Sequence, residues 1–253
     1  MTRIILNGCN GKMGRAITKM ASEDEACEIV AGIDINAQTP NTYPVFTKIS
    51  DCDIKADVIV DFSHPSCFDD VIDYAKRTKT AVIIATTGLS KEQRAEIGKT
   101  AKEIPTFFSA NMSLGINLLI ALSQKATAIL GDKFDIEIVE QHHNQKLDAP
   151  SGTALVIADG INDVLSETYR YAYDRHLMRE PRKKKEIGIH SVRGGTIVGK
   201  HKVIFAGNDE VIELSHEASS KEVFALGAIS AAKFMTDKPV GLYSMAELVG
   251  EMI

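Results

Sequence analysis

Residues 3–21 constrain this chain more than any other stretch. Residues 3–6 are an apolar run that reads as a strand. Residues 12–21 read as a helix, because Met13, Ala16, Ile17 and Met20 recur on one face. Between them runs N-G-C-N-G-K-M-G, with glycines at Gly8, Gly11 and Gly14. Glycine lets a backbone turn tightly and approach a ligand that a Cβ would keep away. The helix start then offers free N–H groups and a partial positive charge to a pyrophosphate. Asp34 follows the next predicted strand, 28–33, and lies 20 residues beyond Gly14. A carboxylate there can accept both hydrogen bonds of an adenosine ribose diol. Strand, glycines, helix and acid together predict a dinucleotide-binding turn. Asp34 repels a 2′-phosphate and Ile35 rather than Arg follows it, so NADH is preferred over NADPH, with Lys12 leaving NADPH possible.

The same alternation continues. Strands are expected at 56–62, 80–85 and 105–109, and helices at 67–78 and 91–103. These strands are nearly all apolar, as in a parallel sheet covered on both faces. After Asn111 the pattern changes. Residues 114–130 read as a long apolar helix, and 134–140 alternate as a half-exposed strand. A polar stretch at 142–153 leads into a helix reaching about residue 165. Residues 186–193, 197–205 and 210–217 are strand-like, and 220–235 and 244–252 are helical. The fold class is therefore α/β: a Rossmann domain at 1–112 completed by C-terminal helices at 220–253, with an inserted α+β domain at 113–219 carrying an open, mixed sheet.

Composition narrows the function. Net charge is −5, from 29 basic and 34 acidic residues, and there is no Trp. Neither a nucleic-acid nor a membrane surface is expected. No apolar run approaches the ~18 residues of a membrane span, and the first residues carry no secretory pattern. Cys9, Cys27, Cys52 and Cys67 form no C-x-x-C pair, which predicts reduced thiols in a cytoplasmic chain and no metal site.

A second constellation runs E-Q-H-H-N-Q-K-L-D-A-P-S-G-T-A over 140–154. His142 or His143 can donate a proton near neutral pH. Lys146 can pair with a carboxylate or stabilise developing negative charge. Ser151, Gly152 and Thr153 at a helix start can hold an anion with hydroxyls and N–H groups. Such a density of donors suits an anionic small molecule, most plausibly a carboxylate. Zinc is disfavoured, because neighbouring side chains on a strand face opposite ways. Arg193 is read as either a carboxylate anchor or a structural ion pair. His190, His201 and His216 are read as packing or surface histidines, His64 as bordering a cofactor cleft, and the basic run 182–185 as a solvated loop.

The chain closely resembles the dihydrodipicolinate reductase family, now usually called 4-hydroxy-tetrahydrodipicolinate reductase. E-x-H-H-x-x-K-x-D-A-P-S-G-T-A at 140–154 carries most of the resemblance. G-x-x-G-x-M-G at 8–14, D-F-S at 61–63, T-T-G at 86–88 and R-G-G-x-I-V-G at 193–199 add to it. The resemblance implies NAD(P)H-dependent reduction of a cyclic imine dicarboxylate on the diaminopimelate route to lysine. It implies that His142 is the proton donor, that Lys146 is a second donor and charge stabiliser, and that His143, Ser151, Gly152 and Thr153 hold substrate carboxylates. Gly8, Cys9, Asn10, Gly11, Lys12, Met13, Asp34, Ala85, Thr86, Thr87, Ser109, Ala110, Asn111 and Met112 would line the cofactor, and a homotetramer is the usual assembly. Ala85 stands where the family commonly has glycine, and Thr196 and Lys200 where it often has acids. Diaminopimelate or aspartate dehydrogenases, and a nicotinamide sensor without chemistry, are the alternatives. The H-H-x-x-K…S-G-T segment distinguishes the reductase from the two dehydrogenases, whereas a sensor would bind NADH without turnover and would not need His142 and Lys146.

Overall fold

The computed structural model describes residues 1–176 and 178–252. Its elements run β1 (Thr2–Asn7), α1 (Lys12–Ser22), β2 (Cys27–Ile33), β3 (Val45–Phe46), β4 (Val58–Asp61), α2 (Phe68–Thr78), β5 (Ala81–Ile84), α3 (Lys91–Thr100) and β6 (Pro105–Phe108). Then follow α4 (Leu114–Leu130), β7 (Asp135–His142), α5 (Gly152–Asn162), β8 (Arg170–Ala172), β9 (Glu186–Arg193), β10 (Gly199–Ala206) and β11 (Val211–Ala218). The chain closes with α6 (Glu222–Met235), β12 (Gly241–Tyr243) and α7 (Met245–Gly250). Two compact units result, Met1–Leu114 with Glu222–Ile253, and Gly115–Lys221.

In the first unit, burial on both faces accounts for the apolar strands. Seven strands pair in parallel in the order β12-β6-β5-β4-β1-β2-β3. From β3 to β6 this is the doubly wound order of dinucleotide-binding sheets. Ile5, Ile59, Val82 and Ile84 pack on one side with Phe68, Val71, Ile72 and Ala75 of α2. The C-terminal segment completes the unit: α6 packs on α1, and β12 extends the sheet beside β6.

In the second unit, the sheet order is β11-β10-β7-β9-β8. β10 runs antiparallel to β7 and β11, whereas β9 is parallel to β7 and β8, so the sheet is mixed. Ile136, Ile138, Ile187, Ile189, Val203 and Phe205 form a core with Leu119 of α4 and Ala154, Ile157, Ala158 and Ile161 of α5. The two helices touch closely at Gly160, where a Cβ would sit 2.9 Å from Ile120.

Three expectations need correction. α5 ends at Asn162 rather than near 165, with Asp163 as its C-cap. The helix and turn Leu114–Lys133 reach the length and mean hydropathy (1.4) of a membrane span. Asn117, Ser123, Gln124, Lys125 and Thr127 break up its apolar run, so scanning for unbroken runs misses it. Its buried residues Ile116, Leu119, Ser123 and Thr127 recur at helical spacing on one stripe. Finally, Arg182 is not in a solvated run. It bonds Asp135, Glu137 and the carbonyls of Ile136 and Glu186, tying its loop to the start of β7.

Candidate active site

All first-unit strands run parallel, so their carboxyl ends fall on one edge of the sheet. There the structure collects the turn 8–13 after β1, Asp34 after β2, Ala85–Thr87 after β5 and 109–112 after β6. Gly8 adopts φ +81°, and a Cβ on it would lie 2.8 Å from the carbonyl oxygen of Phe62. A Cβ on Gly14 would lie 2.2 Å from the Gly8 carbonyl oxygen. Only glycine permits this close turn over the start of α1. The N-cap residue, Gly11, has no side-chain cap, which leaves the helix N-terminus available to an anion. Asp34 accepts the N–H groups of Asn10 and Asn36, which anchors its carboxylate beside the turn. A cradle without side chains, a bare helix start and an anchored carboxylate suit the pyrophosphate and ribose of a dinucleotide.

Individual residues at this edge act differently. Cys9 is wholly buried, and burial, then the nearby Asp34, push its thiol up to about 11. Only its backbone can face a ligand. Lys12 and Thr87 are exposed, whereas Thr86 is buried and donates to Asp61 at 2.7 Å. Asp61, 1 % exposed, also accepts from Asn7 (2.8 Å) and Ser63 (2.6 Å), locking together the ends of β1, β4 and β5. Ser109 and Asn111 exchange side-chain and backbone hydrogen bonds that shape the turn after β6. The His64 ring accepts the Ser66 N–H and caps a short turn.

In the second unit the polar segment folds around a buried carboxylate. Glu140 follows Ile136 and Ile138 on the inward face of β7 and is 0 % exposed. Arg193 of β9 grips it with two bonds, at 2.8 and 2.6 Å, and also bonds the Asp148 carbonyl. His142, two residues along the same face, places Nδ1 2.6 Å from Glu140 Oε2. The N–H of Ser151 donates to Glu140 Oε1 at 3.1 Å. Burial works to raise the Glu140 carboxyl, but the bonds from Arg193, His142, Ser191 and Ser151 outweigh it and bring it down to about 2.

Around this carboxylate sit the other expected groups. Ser151 caps α5 through Ala154 N–H, and Gly152 and Thr153 form the first turn. Lys146 pairs with Asp148 at 2.8 Å, a contact that, together with the Gly152 N–H, lowers the Asp148 carboxyl. His143 lies just past β7, its carbonyl accepting the Lys146 N–H. His142, Lys146 and Ser151 therefore converge on one end of the sheet, at the start of α5.

For two members of this group the structure chooses between readings that the sequence leaves open. His201 is no bystander: it is 4 % exposed, its Nε2 meets Ser151 Oγ at 3.1 Å, and its ring packs edge-on against His142 with centroids 5.2 Å apart. Burial, then His142, lower it to about 4, so it is neutral at pH 7. Arg193 proves to be the structural pair with Glu140 rather than a free carboxylate anchor. Glu140 was not singled out from the sequence, although the alternation Ile136, Ile138, Glu140, which puts a carboxylate in an inward place, is the signal that could have found it. His190 bonds Glu137 at 2.7 Å, away from this cluster. Among the described residues no group of three or more His, Cys, Asp or Glu side chains is arranged to hold a metal, and all four cysteines are free.

Comparisons with known proteins identify the family of the chain. The family model described as "Dihydrodipicolinate reductase, N-terminus" matches residues 2–112, and "Dihydrodipicolinate reductase, C-terminus" matches 115–249. The chain is 53 % identical to a 4-hydroxy-tetrahydrodipicolinate reductase of Caldanaerobacter subterraneus subsp. tengcongensis, covering 98 % of each chain. It is 47 % identical to one of Clostridium novyi, also over 98 % of each. A dipicolinate-bound dihydrodipicolinate reductase from Paenisporosarcina sp. TG-14 superposes with a TM-score of 0.80 at 26 % identity, covering 96 % of this chain and 97 % of that one.

Proposed function

The chain belongs to the dihydrodipicolinate reductase family, and from that premise we infer the part each residue plays in its reaction. It is an oxidoreductase that reduces 4-hydroxy-tetrahydrodipicolinate, a cyclic dicarboxylate, with NAD(P)H. The nicotinamide supplies a hydride; the protein supplies binding, orientation and the proton. The first unit holds the dinucleotide, through the turn 8–13, Asp34, Ala85–Thr87 and 109–112. The anchored Asp34 carboxylate favours NADH, since a 2′-phosphate would face its charge. The second unit, 115–221, holds the substrate.

One observation carries the assignment: His142, Lys146 and the Ser151-Gly152-Thr153 helix start share one end of the second unit's sheet. A substrate carboxylate fits the N–H groups and hydroxyls at the start of α5, with His143 beside it. Lys146, already near a carboxylate in Asp148, balances negative charge as hydride arrives. With the 4-hydroxyl lost as water to leave a conjugated imine, His142 delivers the proton to the ring atom next to the one that is reduced. By its likeness to the family, the reading includes a homotetramer in the cytoplasm.

A coupled assay with freshly generated substrate, following NADH and NADPH side by side, tests this. His142→Gln and Lys146→Ala should each lower kcat by ~10² and leave dinucleotide affinity unchanged. Turnover close to wild type in either variant overturns the role given to that residue.

A further inference from the structure

Glu140 is buried to completion, yet nothing in holding the sheet together calls for a carboxylate where Ile136 and Ile138 precede it. Burying a charge is costly unless it is paired and hydrogen-bonded, and here each oxygen has at least two partners. Oε1 receives Arg193 and the Ser151 N–H; Oε2 receives Arg193 and His142 Nδ1. One carboxylate thus joins the end of β7 to the start of α5.

The chemistry of that junction fixes a proton. An ionised carboxylate accepts hydrogen bonds and cannot donate one. The nitrogen 2.6 Å from it must therefore carry hydrogen, so the neutral His142 ring is protonated at Nδ1 and bare at Nε2. Nε2 lies against Gly199 of β10, where a Cβ would approach it to 3.2 Å, so a side chain at 199 would crowd that nitrogen. Other charges near the ring are few. From β9 comes Arg193, already paired with Glu140; from the loop come Lys146 and Asp148, paired with each other. From β10 and β11 come His201 and His216, cross-strand neighbours that burial holds toward the neutral form.

We propose that Glu140 is a positioning residue for proton transfer: it holds His142 as the Nδ1–H tautomer, leaves Nε2 as the atom that gives and regains the proton, and ties that ring to the substrate-binding start of α5. This rests on the reading of His142 as proton donor. Arg193 has a supporting part, since its two bonds keep the carboxylate ionised whether or not His142 is charged.

The test uses the full chain labelled with ¹⁵N-histidine, with the His142 signals assigned by their absence in His142→Gln. At the alkaline end of its titration, wild-type His142 should show protonated Nδ1 and bare Nε2. In Glu140→Gln that signature should shift toward the other tautomer. Its kcat should fall roughly a hundredfold, with KM changing less and dinucleotide affinity unchanged. Glu140→Asp, which keeps the charge one methylene short, should recover part of the rate. A wild-type ring protonated at Nε2 overturns the proposal, and that spectrum needs no variant to fold. Turnover of Glu140→Gln within about threefold of wild type overturns it too. Active His142→Gln would instead sink the donor assignment, so the two failures are distinct.

Discussion

At the residue scale, the second unit depends on side chains whose charge states are set by their surroundings. His201 is lowered from 6.5 to about 4 by burial and by His142. The unfolded chain therefore binds a proton at His201 that the folded chain refuses. The sign follows: this contribution is complete above pH 6.5 and is lost as pH falls toward 4, on the order of 3 kcal/mol over that window. Glu140, held at about 2 against an ordinary 4.5, acts in the same direction further down, its stabilisation going as pH falls from 4.5 to 2. Urea unfolding between pH 7 and 4.5 should thus show falling stability, and His201→Gln should flatten that slope. A wild-type profile flat across the window would contradict the buried neutral ring. Much of this was readable beforehand. The histidines, the lysine and the helix start were chosen on residue chemistry. The partnership of His201 was not, because the register that brings β10 beside β7 pairs residues 61 positions apart (201 − 140), and local spacing carries no trace of it.

At the element scale, periodicity was informative where elements were long. The apolar strands, the amphipathic α1 and the long α4 follow from pattern alone. β3, β8 and β12 have two or three residues each, too few for any period, and they exist because a sheet edge receives them. The glycine-rich turn was legible because its geometry has a strict steric requirement. A methyl group on Gly14 would press on the carbonyl oxygens of both Gly8 and Cys9, at 2.2 and 2.4 Å. Backbone cannot yield there as a side-chain tip can. Gly14→Ala should therefore cost about 2–4 kcal/mol in chemical denaturation. Dinucleotide affinity, read by fluorescence titration, should fall at least roughly tenfold. Wild-type stability in that variant would show that the turn has room not apparent here.

At the scale of the whole molecule, each unit has its own sheet and its own hydrophobic core. Binding functions placed in different cores should be separable by mutation. Asp34→Ala should weaken NADH more than NADPH if its carboxylate has the proposed place at the ribose diol. The same variant should keep the wild-type rise in Tm on adding dipicolinate, the ligand named in the Paenisporosarcina structure. Equal loss for both coenzymes would show that Asp34 does not read the ribose. Loss of the dipicolinate response would show that the two halves do not act independently.

β12 joins the edge of the first sheet from beyond the whole inserted unit. On a ribosome, β6 emerges long before its outer neighbour exists, and all of 115–221 is made in between. Throughout that interval one row of N–H and C=O groups on β6 has no strand beside it, the kind of edge on which nascent chains associate. The inserted unit, by contrast, has its whole sheet in hand once β11 has emerged. The unit that holds β1 is thus completed only after the inserted unit, and the burden of keeping it from sticking falls on whatever attends the chain during synthesis.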